Sequence, residues 1–337
     1  MWRRVAPATG LFFLSPLVAE FLLGNIPISA LFALVMLAPM YGGGALLIRE
    51  VVRRSGRGWP AIVPLALAYG VLEEGVTTQS LFNPDYAGQR LLDVTYIPAL
   101  GIGAWWSVFV LTLHTVWSIS VPIAVMEGLT PARRTTPWLG RFGLGVTAVL
   151  FLFGVVSTTV FSLRISPFVA SVPQFAAVAV AVVALVVIAF ALGRPAPASV
   201  PAPGSAAPNA WAVGAVTLVA SSAWFLLGEV VLGWATVAGY LLISALVAYL
   251  IARWSARPGW RDTHRVAAAG GAMLTYAWHA FPQGPIMPVS PTVDLIGNAV
   301  FAAGAVALLF LAVRRAGGAP VADLGLREGS AAPGGVS

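Results

Sequence analysis

Ten apolar stretches of about 20 residues each alternate with short polar segments along the chain. A helix of that length crosses the hydrocarbon of a bilayer, which is about 30 Å thick. Lipid offers backbone groups no hydrogen-bond partner, so each stretch is predicted to be helical. The pattern therefore predicts an all-α fold, a polytopic transmembrane helical bundle of about ten spans, at residues 6–23, 29–49, 59–80, 103–127, 143–163, 171–193, 210–231, 235–253, 266–282 and 293–313.

Arginines mark one side of the predicted spans. All 19 basic residues are arginines. When the N-terminus is placed in the cytoplasm, only Arg90 and Arg164 fall in outward-facing segments. Cytoplasmic loops of membrane proteins carry an excess of basic residues. We therefore expect both termini to be cytoplasmic and the protein to reside in a bacterial plasma membrane.

Composition narrows the class of protein. Hydrophobic residues make up 59% of the chain and charged residues only 9%, whereas a soluble domain has about a quarter charged residues. This excludes a soluble enzyme and a disordered chain. The absence of cysteine excludes disulfides and thiolate metal sites. The net charge of +7 comes from arginines that suit anionic lipid headgroups, so the expected partner is the lipid bilayer and not nucleic acid.

One segment divides the predicted spans into two groups. Residues 194–209 (RPAPASVPAPGSAAPN) are rich in proline, alanine and serine, which favours an extended cytoplasmic linker. The linker separates a six-span membrane domain, residues 1–193, from a four-span membrane domain, residues 210–315. The Gly/Ala-rich residues 316–337 are predicted to form a disordered cytoplasmic tail.

Several ionisable side chains are predicted inside the spans, among them Glu73 and Glu74 on the third, His114 on the fourth and His279 on the ninth. Such groups are costly in lipid, so these four are candidates for catalysis. The alternative is that they only form hydrogen bonds between helices. Adjacent residues on a helix point about 100° apart, so both glutamates facing one partner is not the usual arrangement. We expect at least one carboxyl group within about 5–6 Å of the His114 imidazole, close enough for a bridging water.

Four further polar residues lie in the predicted spans, and two of them, Glu20 and Asp294, share the depth of these groups between the midplane and the outer surface. They are candidate substrate-binding residues: Glu20, Ser118, Asp294 and Asn298. A shared depth permits one polar cavity that opens outward. The alternatives are a helix cap for Asp294 and a local pairing of His279 with Asp294 or Asn298.

Features nearer the cytoplasm have structural interpretations. Glu50 and Glu127 lie beside arginines, which predicts surface ion pairs, and His264 in an arginine-rich loop is expected to be solvated. Inside the second span, Pro39 precedes the glycines at 42–44. These residues suit either an unwound backbone that lines a site or close helix packing.

The pair Glu73-Glu74, followed 40 residues later by His114, resembles the CAAX-protease and bacteriocin-processing (CPBP) family of intramembrane peptidases. The resemblance covers about residues 59–118. That family carries E-E-x-x-x-R, F-x-x-x-H and a later H-x-x-x-N or H-x-x-x-D, for which His279 could supply the last histidine. The sequence departs from these motifs in having Thr78, Val110 and Gln283 at three motif positions. The resemblance implies that Glu73 or Glu74 activates water and that His114 and His279 stabilise the oxyanion or transfer a proton.

Three functions remain compatible with these residues. The first is an intramembrane hydrolase acting on a hydrophobic peptide, lipid or small molecule, either glutamate-dependent or dependent on a divalent metal such as zinc bound by Glu74, His114 and His279. The second is a proton-coupled small-molecule transporter or permease that uses the same groups as a proton path. The third is a haem-b membrane protein with His114 and His279 as axial ligands.

Overall fold

The computed structural model describes residues 2–192 and 205–318. Helices occupy all ten predicted span positions. In chain order they are α1 (Trp2–Pro16, continued by a π turn at Leu17–Leu22), α2 (Ala33–Arg54), α3 (Trp59–Leu72, continued by a π turn at Glu73–Thr77), α4 (Ala104–Leu113), which runs through a π turn at His114–Ser120 into α5 (Val121–Leu129), α6 (Arg141–Ile165), α7 (Val172–Leu192), α8 (Ala210–Val230), α9 (Trp234–Ser255), α10 (Asp262–His279) and α11 (Pro291–Gly317). The loop before α4 adds a short antiparallel ribbon of β1 (Tyr96–Ile97) and β2 (Ile102–Gly103).

Eight helices in the described part of the chain are long and apolar enough to cross a membrane. The other two predicted spans correspond to α3 and α10. Both are inner helices, because α3 packs against α7 and the π turn of His114, and α10 packs against α8, α5 and α11. Inner helices need fewer apolar residues, since their neighbours and not lipid surround them.

The helices before and after the predicted linker share one core. The Trp117 ring stacks on Tyr276 of α10 with centroids 4.7 Å apart, and Trp117 Nε1 donates a hydrogen bond of 2.7 Å to the Ala272 carbonyl. Both of these aromatic side chains are buried. Most of the predicted linker and tail, residues 193–204 and 319–337, lies outside the described residues.

The glycines of α2 serve close packing. The helix is continuous from Ala33 to Arg54 and passes through Pro39 without unwinding. A Cβ at Gly42 would lie 1.8 Å from the Phe12 carbonyl oxygen of α1, and one at Gly44 would lie 2.5 Å from the Tyr69 ring of α3. Of the two interpretations, the unwound backbone is therefore wrong and close packing is observed.

Glu50 and Glu127 do pair with arginines, but the expected surface location is wrong, because both carboxylates are buried. Glu50 accepts hydrogen bonds from Arg49 Nη1 (2.7 Å) and from the Trp138 backbone N–H (2.8 Å). Arg49 Nη2 donates to three carbonyls of the loop before α6, those of Arg133, Arg134 and Thr136. That loop folds over the helix ends and excludes water, which the local sequence does not indicate.

His264 also differs from its expected solvated state. Its side chain is buried, and its Nε2 lies 2.9 Å from the Pro208 carbonyl oxygen. Its Nδ1 accepts a hydrogen bond of 3.1 Å from the Arg261 backbone N–H. His264 therefore ties the start of α10 to the segment that enters α8.

Candidate functional site

Three π turns carry five of the eight predicted site residues. Glu20 lies in the turn Leu17–Leu22, Glu73 and Glu74 in Glu73–Thr77, and His114 and Ser118 in His114–Ser120. Among the residues that the structure describes, these are the π turns present. Such turns are rare and occur frequently at functional sites, because the extra residue redirects side chains out of the regular helical order.

His114 lies between the two glutamates, and all three side chains are buried. Its Nε2 is 2.8 Å from Glu74 Oε1, and its Nδ1 is 3.1 Å from Glu73 Oε2. The expected proximity is therefore observed, and both glutamates face one imidazole, unlike the usual arrangement on a regular helix. Gly70 permits this approach, since a Cβ there would lie 3.1 Å from the Cβ of His114.

Hydroxyl groups fix the orientation of Glu74. The Thr78 hydroxyl donates a hydrogen bond of 2.9 Å to Glu74 Oε2, and the Ser80 hydroxyl contacts the same oxygen. Ser80 in turn accepts a hydrogen bond of 2.9 Å from the indole N–H of Trp106. Glu74 is thus held by donors on one oxygen and by His114 on the other.

Glu73 is held less completely. Its Oε2 forms no hydrogen bond of regular geometry with the described residues, although His114 Nδ1 is near. The Tyr69 hydroxyl faces Glu73 but forms no hydrogen bond of regular geometry, and neither does the Thr77 hydroxyl. Buried polar atoms normally have partners, so these three groups could receive a water, a metal ion or a substrate atom.

Glu20 joins the cluster through an aromatic residue that the sequence analysis did not select as a site residue. Tyr41 donates a hydrogen bond of 2.6 Å to Glu20 Oε1, and Asn25 Nδ2 donates one of 2.6 Å to Glu20 Oε2. The Tyr41 ring centroid is 6.0 Å from that of His114. Ser118, another predicted site residue, contacts His114 Nδ1 at 3.1 Å.

The loop between α3 and α4 covers the cluster. Tyr86 is half-buried, and its phenol lies against Thr78 within electrostatic reach of Glu74. Burial raises the pKa of the Tyr86 phenol, and the nearby carboxylates raise it further. Gln79 and Asn83 anchor the start of this loop, because Gln79 Oε1 accepts a hydrogen bond of 2.7 Å from the Ala170 N–H and Asn83 donates one of 2.9 Å to Ser166.

The remaining predicted site residues lie elsewhere. His279 is buried, with its ring centroid 4.4 Å from that of Phe225 and its Nδ1 unpaired among the described residues. Asn298 donates to the Ala280 carbonyl (2.9 Å) and to Asp294 (3.4 Å), and neither contact involves the His279 imidazole. The structure thus brings Glu20, Glu73, Glu74, His114 and Ser118 together, and no described hydrogen bond or ion pair joins His279, Asp294 or Asn298 to them.

One group of side chains in the described part of the chain could hold a metal ion. Ligand atoms of Glu73, Glu74 and His114 all lie within 4.8 Å of one another. His279, which the sequence analysis considered as a ligand, is not a member of this group, and Glu73 takes its place. Two carboxylates and one imidazole are typical donors for a catalytic divalent cation.

Comparison with known proteins assigns the chain to a family. Residues 11–321 match the model of a family described as an uncharacterized membrane protein family. The chain belongs to this family. No curated protein and no solved structure matches the chain significantly. The matched region contains every residue of the cluster, so the protein is a multi-pass membrane protein with buried carboxylates and an imidazole inside the family region.

Proposed function

We propose that the chain is an intramembrane hydrolase whose catalytic residues are Glu73, Glu74 and His114. The observation that carries the proposal is the buried imidazole between two carboxylates, at 2.8 and 3.1 Å. A carboxylate that accepts the proton of a water molecule and an imidazole that passes it on are the parts that hydrolysis requires. The similarity of Glu73-Glu74 and His114 to the first two CPBP motifs supports the same chemistry.

Each residue has a distinct role in this proposal. Glu73, whose Oε2 forms no regular hydrogen bond, binds the attacking water and takes its proton as the water oxygen adds to the scissile carbonyl carbon. His114 delivers a proton to the leaving group when the bond breaks, and Glu74 orients and stabilises the imidazolium. The Tyr69 hydroxyl is the donor for the developing oxyanion.

A divalent metal such as zinc is the second arrangement that the geometry favours. The three ligand atoms within 4.8 Å support it, and Glu73 Oε2 could serve as a ligand. A bound metal would polarise a carbonyl or activate water. In this arrangement one His114 nitrogen would ligate the ion, and the carboxylate on that nitrogen would turn toward it.

The other two functions draw different support. A proton-coupled transporter remains an alternative, because Glu20, Tyr41 and the glutamate–imidazole cluster form a chain of proton-carrying groups. The geometry does not support the haem-b alternative, since both nitrogens of His114 contact carboxylates.

The test of hydrolysis does not require a known substrate. Purified protein in vesicles is incubated with a membrane lipid and peptide extract in ¹⁸O-labelled water, and the products are analysed by mass spectrometry. Because hydrolysis places one water oxygen in a product, we expect ¹⁸O-labelled products with the wild-type protein and much slower labelling with Glu74→Gln.

The chelator arm of the same experiment separates the two arrangements. Activity that survives exhaustive chelation, in protein without stoichiometric metal, assigns the reaction to the carboxylates and imidazole. Activity lost on chelation and restored by zinc assigns it to a metal. A complete absence of labelled product from every fraction of the extract, together with proton-driven solute uptake, would overturn the hydrolase in favour of the transporter.

We further propose ten spans with both termini in the cytoplasm of a bacterium. Helices at all ten expected positions support the span count. Arginine side chains meet at one end of the bundle, where Arg53 pairs with Glu127 and Arg134 pairs with Asp262. Such an arginine-rich end suits the cytoplasmic face.

Reporter fusions test this topology. A reporter that is active only outside the cell is expected to be inactive after Gly58, Arg141 and Arg257, and active within residues 83–101. A cytoplasmic fluorescent reporter at the same positions should give the opposite pattern. Agreement of the two reporters on the reversed side at any two positions would reject the ten-span arrangement.

A further inference from the structure

An apolar groove lies between α2, α3, α6 and α7. Its volume is about 140 Å³. Leu47, Ile48 and Val182 at its rim are half-buried, so the groove is open at the lateral surface of the bundle. Its lining is apolar apart from one phenol: Gly44, Leu47, Ile48, Leu65, Ala68, Tyr69, Leu72, Phe151 and Val182.

The groove adjoins the catalytic cluster at Tyr69. The ring of Tyr69 lines the groove, and its hydroxyl faces Glu73. Leu72, another lining residue, directly precedes Glu73 in the chain. The Tyr69 ring centroid lies 6.0 Å from that of His114. Tyr69 therefore separates an occupant of the groove from His114 by one side chain.

We propose that the groove binds the hydrocarbon tail of an amphiphilic substrate from the outer leaflet, which rests on the proposed hydrolase function. An engineered apolar cavity of about 150 Å³ holds one benzene molecule, so this groove admits about six carbon atoms of a chain. The tail enters from lipid, packs against Leu65, Ala68 and Val182, and leaves the scissile group beside Glu73.

The orientation of the groove fits an amphiphile. Along α2, the lining residues Gly44, Leu47 and Ile48 follow Tyr41 in the direction of the buried arginines. In the proposed topology this direction leads from the site toward the membrane centre and the inner leaflet. An outer-leaflet amphiphile extends its tail in the same direction from its polar head. A peptide backbone would find few partners on this wall, since its polar groups need hydrogen bonds away from water.

Photolabelling of the full chain in phosphatidylcholine vesicles tests the groove. The probe is palmitic acid with a mid-chain diazirine, and labelled residues are mapped by mass spectrometry. We expect labels on Leu65, Leu72 and Val182. Val182→Phe should lower this labelling about tenfold, because its ring displaces about two methylene groups. The matched control is Val183→Phe on the next residue of α7, which is 62% exposed and should label like the wild type.

Each outcome decides one proposal separately. Glu74→Gln should keep wild-type labelling, because it alters the reaction and leaves the groove intact. Labels spread evenly over the lipid-facing surface and insensitive to Val182→Phe would overturn the groove. An unchanged KM of Val182→Phe for the hydrolysed substrate would overturn the groove as a substrate site. Absence of hydrolysis with intact groove labelling would reject the hydrolase alone.

Discussion

Glu74→Gln is expected to lower the rate of ¹⁸O incorporation about 10³-fold, within the range that a positioned acid–base group contributes. The amide keeps the size of the side chain but cannot stabilise an imidazolium on His114. It also places an N–H₂ group against Thr78 or His114, where the carboxylate accepts hydrogen bonds. The measurement is the initial rate in vesicles, with the thermal unfolding midpoint recorded for every variant.

Two variants make this expectation specific. Glu229→Gln removes the charge of an exposed glutamate at the end of α8 and is expected to retain the wild-type rate. Ser80→Ala removes one contact to Glu74 and is expected to cost about tenfold, the effect of one hydrogen bond to a charged group. A folded Glu74→Gln variant with more than a tenth of the wild-type rate would exclude Glu74 from the catalytic residues.

Glu127→Gln is expected to destabilise the protein by about 3–5 kcal/mol, the cost of removing one partner of a buried ion pair. Both Glu127 oxygens accept hydrogen bonds from Arg53, at 2.8 and 2.7 Å, and Arg49 Nε lies 3.2 Å from Oε1. The substitution would remove the carboxylate that pairs with Arg53 and would leave Arg49 with the carboxylate of Glu50. Equilibrium unfolding in mixed micelles measures the change.

The control variant for this experiment removes an ion pair that is exposed to water. Asp93 pairs with Arg90 in the outer loop, and both side chains are at least half exposed. Asp93→Asn is therefore expected to unfold like the wild type, because solvent screens exposed pairs. Equal stability of Glu127→Gln and the wild type would show that the buried charges are compensated elsewhere.

The sequence was sufficient to predict the helices and the three central residues of the candidate site. Hydropathy locates spans because lipid forces the backbone into helices, and the ten expected positions all carry helices. The cost of ions in lipid marked Glu73, Glu74 and His114 before their contacts were known. The catalytic roles of these residues remain a proposal.

Other parts of the site depend on information that periodicity does not contain. A regular helix separates Glu73 from Glu74 by about 100°. Hydrophobic periodicity does not mark the π turns that redirect these side chains. Ser80 and Trp106 meet only because the chain reverses after Thr77. Burial of Glu50 likewise depends on a loop that starts about 80 residues later.

Each of the three successive glycines of α2, Gly42, Gly43 and Gly44, packs against a different helix. Added Cβ atoms would press on Phe12 of α1 from Gly42, on Phe151 of α6 from Gly43 and on the Tyr69 ring from Gly44. Tyr41, one residue earlier, bonds Glu20. Because successive residues point about 100° apart, three other helices, α1, α6 and α3, surround α2 at the level of these glycines. A rotation of this helix would move Tyr41 and Tyr69 together, so any conformational cycle in this protein must either hold α2 fixed or rearrange both phenols at once.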